Sequence, residues 1–551
     1  MSEKKCNLCY IRQITQPMRS AKSIREAAPY DNGVTRPPMG WSSWNCFRNN
    51  IDEQKIIDIA EAMVKTGLKD KGYVSLNLDD NWHSSMRDEN GDLQGDLERF
   101  PNGIGNLISY LNGKGLKVGL YTSNGTLTCE DLPASFGNEE RDAYRIARWG
   151  AEFFKYDFCH HHAFTSAAPL VSAIGLIKSG DSEERITVPV SEATLGGNAK
   201  YVKFPKLPSG GYVKGLDKNK GIIIFDGIEA EEGEYTLTIV TKKIGDKKER
   251  FIAVEVNDGD AEIITVPGCH KPNVYARVQC KITLNNGKNI IKLYNPLLNK
   301  ADGYMYQYRY MGKMLKKATA RVALESGKAE KPITYSICEW GFNRPWEWGV
   351  TAGNQWRTTL DIRPWWIWMM LIYRRTVKLW KYSSKGHYND PDMLEVGNGK
   401  LTFDQNKTHF SIWCMLNAPL ILGNDLRKFI KEDGSVDENN EVLKIVTNEN
   451  LIAVNQDEKG MQCKRVRSLP RADVLAKPLA DGVAICFFNR TRFATSASFD
   501  INALAEDEYF DFVKCDGYTL RDLWTNETSA NDGKLTVELP PYACKVYKIK
   551  Y

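Results

Sequence analysis

Short apolar segments alternate with stretches of helical spacing from Pro38 onward, the rhythm of repeated βα units. GWSSW (40–44) is followed by Ile56, Ala60, Met63, Val64 and Gly67 at helical spacing, and then by the strand-like YVSLNLDD (73–80). LKVGLYT (116–122) and FFKYDF (153–158) are the next strand candidates, the second preceded by a predicted helix over Glu139–Trp149. The pattern breaks at Ala163. From about Thr165 to Gly303 the chain is β-like, with Gly-, Asn- and Asp-rich turns at the spacing of a β-sandwich. Helical spacing resumes with Met311, Met314, Leu315, Ala318 and Val322, and four more strand candidates follow at 333–340, 355–362, 388–394 and 418–426. Residues 34–163 and 304–450 therefore carry eight strands in a length close to the roughly 250 residues of a (β/α)8 barrel. The predicted fold is α/β: a leader (1–33), a TIM barrel in two parts (34–163 and 304–450), a β-sandwich inserted after strand 4 (164–303) and a C-terminal antiparallel β-sandwich (451–551).

Charge narrows the partners. Lys and Arg number 74 against 69 Asp and Glu, and the net +5 is too small and too dispersed for a nucleic-acid footprint. No apolar run approaches the roughly 20 residues of a membrane span, so neither nucleic acid nor membrane is expected as a partner. Nothing apolar follows the basic residues of MSEKKCNLCYIRQITQPMRS, so the expected location is the cytoplasm. Thirteen cysteines, an odd number without repeated spacing, predict thiols rather than a disulfide framework. Cys6 and Cys9 form a lone C-x-x-C with no second pair and no strand-helix context, which argues against a metal or redox role. The 14 Trp and 25 Tyr supply flat faces that suit sugar rings as well as cores.

The candidate chemistry sits where a barrel would gather it. Polar residues at the C-terminal ends of barrel strands converge on one pocket. Here Asp79 and Asp80 close strand 2, Lys155 and Asp157 strand 4, Glu339 strand 5, Arg357 and Asp361 strand 6, and Asp390 and Asp392 strand 7. Any one Asp after a strand is more often a helix cap or loop ion pair, but a run of strand ends is not so explained. Trp41, Trp44, Trp82 and Trp340 add aromatic surface to the same mouth, whereas Trp365, Trp366 and Trp368 on the helix after strand 6 are expected to pack. Acids interleaved with Trp suit a pyranose, whose hydroxyls the acids bind while an indole covers a C–H face. Glycoside cleavage needs one carboxyl to protonate the leaving oxygen and another to act on the anomeric carbon or on water. Asp157 and Asp361 are the pair chosen. Lys155 and Asp157 share a strand face at two-residue spacing, so the ammonium should keep Asp157 ionised as nucleophile. Asp361 must begin protonated, and a pocket crowded with acids raises the pKa of at least one of them.

RPPMGWSSWNCF, LNLDDNW, RFPNGIGNLISYLNGKGLKVGLYTSNGTLTC, KYDFC, SICEWG, GNQWRTTLDI and YNDPDMLEVGNG, in this order, resemble glycoside hydrolase family 27, whose best-known members are α-galactosidases. The resemblance spans roughly 34–163 and 304–551. It implies a barrel followed by a β-sandwich, a retaining mechanism, Asp157 as nucleophile, Asp361 as acid and then base, and no cofactor or metal. It further implies that Asp79 and Asp80 bind the hydroxyls at C4 and C6, that Lys155 and Arg357 bind ring hydroxyls, and that Trp41, Tyr121, Cys338, Glu339, Trp340 and Asp392 contact the sugar. Glu339 stands where relatives that accept N-acetylgalactosamine carry a smaller residue, which favours a plain 2-hydroxyl. The function expected is that of a retaining exo-α-galactosidase on oligosaccharides or glycoconjugates, with a homo-oligomer possible.

The sequence departs from the family pattern at several positions. Asn81 replaces a half-cystine and leaves Cys46 without that partner, while Cys129 and Cys159 match a second family pair that a reducing cytoplasm could keep as thiols. Leu360 stands where Gly is usual. The His160–His162 run is read as a solvated loop, since three consecutive side chains cannot all face one ion on regular structure. The insertion resembles carbohydrate-binding modules of the family 35 or family 6 type through SEATLGGNAKYV and GKNIIKLYN, and it has no Trp platform. Rival readings are another activity of the same family, on β-L-arabinopyranosides, α-N-acetylgalactosaminides or isomaltose units, and a catalytically silent galactose-binding protein.

Overall fold

The computed structural model describes residues 21–22, 27–162, 164–181, 186–207 and 209–550. Cys6, Cys9 and most of the 1–33 leader lie outside the described residues. The chain divides into two compact units, one of 28–161 with 308 onward, the other centred on 162–307.

The first unit is built on eight parallel strands: β1 (Met39–Ser42), β2 (Ser75–Asn77), β3 (Lys117–Ser123), β4 (Phe153–Asp157), β5 (Thr334–Cys338), β6 (Gln355–Arg357), β7 (Tyr388–Asp390) and β8 (Leu420–Leu422). Their order is β7-β6-β5-β4-β3-β2-β1-β8, and Leu394, just past β7, bridges Leu422 in parallel and joins the two ends. Strands covered on both sides carry near-continuous apolar runs, which explains why β1, β2, β6, β7 and β8 are buried at every position. The strands are shorter than the sequence pattern predicts, because polar residues past each apolar core turn into the mouth loops. Residues 358–362, for instance, leave the ladder after Arg357.

Helices cover the sheet. α1 (Glu53–Lys65) starts at Asp52, whose carboxylate accepts from Lys55 N at 2.9 Å. It buries Ile56, Ile59, Ala60 and Met63, whereas Val64, expected on the core face, is 39 % exposed, and Gly67 lies beyond the end. α2 (Ile104–Gly113) buries Ile104, Leu107, Ile108 and Leu111. α3 spans Glu139–Trp149 as the sequence predicts and stops at Gly150 with φ +82°. α4 (Lys300–Ser326) is longer than the spacing from Met311 suggests and begins inside the segment assigned to the insertion. α5 (Trp366–Thr376) follows β6, and α6 (Phe403–Met415) opens with a Thr402–Gln405 capping box.

Helix Glu449–Asn455 crosses the expected 450/451 boundary, and the C-terminal β region begins at Lys464. It consists of a six-stranded antiparallel sheet and a two-stranded antiparallel sheet of Thr495–Asp500 with Lys534–Leu539, joined through one apolar core. The second unit consists of antiparallel sheets of five and six strands sharing a core that includes Ile174, Leu176, Ile223, Leu237, Ile252 and Leu293.

Close strand packing makes one position intolerant. A Cβ on Gly40 of β1 would lie 1.9 Å from the Ser75 carbonyl oxygen of β2. Gly40→Ala is expected to cost about 3 kcal/mol, seen as a lower thermal midpoint, while Val64→Ser stays within about 0.5 kcal/mol of the parent.

Candidate active site

Lys155 and Asp157 point to the same side of β4, with Nζ 3.6 Å from the Asp157 Oδ2. The same ammonium donates to Asp79 Oδ2 at 2.8 Å and lies 5.1 Å from the centre of the Tyr121 ring. Burial disfavours this ammonium, yet Asp79, Cys338 and Asp157 together hold its pKa well above the usual lysine value. For Asp157 the balance goes the other way. Burial pushes its carboxyl up to about 6, aided by the charges of Asp361 and Asp79 and opposed by Lys155 and the Phe158 N–H. The sequence suggested that Lys155 would simply keep Asp157 ionised; desolvation proves the larger effect.

The neighbouring acids are fixed by backbone donors. Asp79 Oδ1 accepts from Asp80 N at 2.9 Å, and Asp80 accepts from Asn81 N and Glu130 N at 2.8 and 3.0 Å. Burial raises Asp80 to about 7. Arg357, at the end of β6, binds Asp392 Oδ2 at 2.7 Å and Asp361 Oδ1 at 3.2 Å, and its Nη1 lies 3.7 Å from Cys338 Sγ. Asp390 is pushed up to about 6, again by burial, with Arg357 opposing.

Asp361 sits four residues beyond β6, on the loop leading to α5 rather than on a strand, with its side chain 66 % exposed. Its carbonyl oxygen accepts from Trp368 Nε1 at 2.7 Å. A cavity at the mouth of the barrel is lined by Asp79, Tyr121, Lys155, Arg357, Asp390 and Asp392, together with Ser42, Asn77, Ser336 and Gln355. Ser42, Asn77, Ser336 and Gln355 were not singled out from the sequence. Their signal is register alone: Ser42 pairs with Asn77, and Ser336 lies between Lys155 and Gln355 across neighbouring strands.

Several expected contacts are placed differently. Glu339 is fully buried and accepts from Asn343 N at 2.8 and 3.0 Å as well as from the Asn343 amide, so its carboxyl braces the loop after β5; like Asp157 and Asp361, it is not among the residues that line the cavity. Burial lifts it to about 8. Trp41 is buried and donates to Asn424 O at 2.8 Å, and Trp340 is buried edge-on to Phe158. Trp82 stacks on His83 at 3.9 Å. Of the three Trp expected to pack, Trp366 does, against Tyr542, but Trp365 is 62 % exposed.

Cys129 and Cys159, which match a family pair and whose pairing the sequence left open, form a disulfide with Cα atoms 5.1 Å apart. Both sulfurs and an Asp157 oxygen lie within 4.8 Å of one another, but sulfurs bonded to each other offer no thiolate to a metal. Cys46 is free and half-buried. His160 is not a solvated residue either, since its Nε2 meets Asp131 at 2.9 Å, and His161 stacks on Phe158 at 3.9 Å.

A closed parallel barrel whose strand ends present paired carboxyls, an ammonium and a guanidinium to one cavity carries the groups that glycoside hydrolysis requires. Residues 36–174 and 258–457 match the family model described as "Alpha galactosidase A", and 471–549 match that of the "Alpha galactosidase C-terminal beta sandwich domain". The chain belongs to glycoside hydrolase family 27, the α-galactosidase family, and is an α-galactosidase-type enzyme. It is 30 % identical to the α-galactosidase of Cyamopsis tetragonoloba over 94 % of this chain and 87 % of that one. It is 27 % identical to α-galactosidase A of Cellvibrio japonicus, over 95 % and 94 % of the two chains. The fold is shared with the crystal structure of α-galactosidase I from Mortierella vinacea, with a TM-score of 0.63, 23 % identity and coverage of 94 % and 98 %.

The ammonium between Asp79 and Asp157 gives a checkable consequence. Lys155→Met leaves two buried carboxylates without their cation and is expected to cost about 3 kcal/mol above pH 7. The cost shrinks as pH falls toward about 6, because protonation then neutralises Asp157. Thermal unfolding of both proteins from pH 5 to 8 measures the difference.

Proposed function

We propose that this enzyme hydrolyses terminal α-D-galactosyl residues with retention, through a covalent ester on Asp157. The observation that carries the reading is the arrangement of the two acids. Asp157 is buried at the end of β4 against an ammonium, and Asp361 stands exposed at the rim, held by Arg357 and close enough for its charge to act on Asp157.

In the first step an Asp157 oxygen bonds to the anomeric carbon while the bond from that carbon to the glycosidic oxygen breaks, and the Asp361 carboxyl gives its proton to the departing oxygen. In the second, water attacks the same carbon, Asp361 takes a proton from the water, and the Asp157 carboxylate leaves. Lys155 and Arg357 would bind ring hydroxyls, and Asp79 and Asp80 those at C4 and C6. With an axial C4 hydroxyl held by two fixed acids, the equatorial epimer leaves buried acceptors unpaired, which favours galactose over glucose. Glu339 would favour a plain 2-hydroxyl through the loop that it braces with Asn343 rather than by direct contact. The names of the relatives from Cyamopsis and Cellvibrio support the same substrate class.

The reacting form of Asp157 is the carboxylate, and burial sets its pKa near 6. The value of kcat/KM is therefore expected to fall about tenfold per pH unit below pH 6. Asp157→Ala should abolish turnover of aryl α-galactosides, and the sugar first released by the parent enzyme should be the α anomer in an NMR time course. A β anomer appearing first sinks the double displacement. A panel of aryl α-galactosides, β-L-arabinopyranosides and α-N-acetylgalactosaminides tests the sugar itself, with the first expected to react fastest.

A further inference from the structure

The helix that follows Asp361 is amphipathic the wrong way round for a covered surface helix. α5 buries Trp366, Met369, Met370, Ile372 and Tyr373, as a barrel helix should, yet its outward face is also apolar. Ile367 is 77 % exposed and Leu371 is 51 % exposed one turn further on, with Trp365 at the N-cap and Trp368 half-buried beside them. Contiguous apolar surface of this kind marks a binding site more often than scattered single residues do. No Asp or Glu occurs between Asp361 and Asp390, and the cations beside the patch are Arg363, 5.8 Å from the Trp365 ring, and Arg374, exposed three residues beyond Leu371.

The first turn of this helix lies beside the loop that carries Asp361. The Trp368 indole N–H that donates to Asp361 O at 2.7 Å ties the helix to the residue assigned as acid. We infer that the outward face of α5 is a subsite for an apolar aglycone, seating the alkyl or aryl part of a galactoside as its glycosidic oxygen meets Asp361. The inference rests on the reading of Asp361 as the proton donor. A group that protonates the glycosidic oxygen must touch it, so the first atoms of the leaving group lie beside Asp361 and their continuation runs over the nearest open surface. That surface offers indole faces and aliphatic carbons, with few groups to bind the hydroxyls of a second sugar. A saccharide would lose hydration there without recovering hydrogen bonds, whereas an alkyl chain gains by leaving water.

Rates on ethyl, butyl and octyl α-D-galactopyranosides, whose leaving alcohols are chemically alike, test the inference below the micelle concentration of the octyl compound. The value of kcat/KM, which covers departure of the aglycone, is expected to rise about twofold per methylene, half the logarithmic gain of a fully buried CH₂. In the double variant Ile367→Ser, Leu371→Ser the octyl-to-ethyl ratio should fall at least fivefold, and Ile367→Leu, Leu371→Ile should restore it. Hydrolysis of all three glycosides at equal kcat/KM, or a chain-length slope that survives the double serine variant, overturns the subsite and leaves the α-galactosidase reading standing. So does sedimentation showing a dimer that the serine variant dissociates, since a second copy would then cover the face. Failure to hydrolyse any α-galactoside, melibiose included, removes the α-galactosidase reading and the subsite with it.

Discussion

The Lys155 ammonium, held between Asp79 and Asp157 at the C-terminal mouth of a closed parallel barrel, is the interaction on which the site depends. Two carboxylates brought together in a buried cavity repel each other and lose hydration, and both effects favour their neutral forms. One cation placed within hydrogen-bond reach of the first and 3.6 Å from the second offsets much of that cost while leaving Asp157 an acceptor-only group at neutral pH. The placement requires parallel strands in register. Lys155 is paired with Tyr121 on one side and Ser336 on the other, so a slip of one residue in β4 would turn Lys155 and Asp157 together to the opposite face of the sheet.

Around this centre the protein separates acids by environment. Asp80, Asp157 and Asp390 are all raised to between about 6 and 7 by burial, and Glu339 to about 8. Asp361, by contrast, reaches out from the rim on a loop. Holding so many acids at one mouth also uses uncommon backbone. Asn81 after Asp80, Trp340 after Glu339, and Asp392 two residues after Asp390 all have positive φ, at 74°, 53° and 84°. Such conformations cost on the order of 1–3 kcal/mol each when the residue is not glycine, and they gather where chains turn sharply to aim side chains.

The eight strands were legible in the sequence because a strand buried on both faces must be an apolar run, and the acids were legible because they follow those runs directly. α3 was legible from end to end because its amphipathic spacing and its terminating Gly150 agree. What could not be read is where each strand stops and what a buried polar group binds. Asp361 was assigned to a strand end but lies on a loop, because hydrogen bonding to neighbouring strands, not residue type, ends β6 at Arg357. Glu339 was expected at the sugar, and the sequence does not announce the turn through which it also binds Asn343, four residues on. Trp365 was assigned to packing because Trp residues usually are packed, and periodicity could not distinguish its outward direction from that of Trp366. The Cys129–Cys159 bond joins residues thirty apart, and nothing in their spacing selects them from thirteen cysteines.

The departures from the family pattern at Asn81 and Leu360 follow one rule, that a replacement is tolerated where it suits the backbone it occupies. Asn81 occupies a left-handed conformation at φ 74°, which Asn adopts more readily than most residues, so replacing a half-cystine there keeps the turn that aims Asp80. Its buried amide nitrogen has no protein partner and Cys46 stays a half-buried thiol, so a covalent tie is absent while the geometry survives. Leu360 takes the place of a family glycine without a positive φ, so the backbone there does not need glycine. By contrast the disulfide beside Asp157 is kept, because it clamps the β4 loop that carries the backbone donor to that carboxylate, Phe158 N at 2.8 Å.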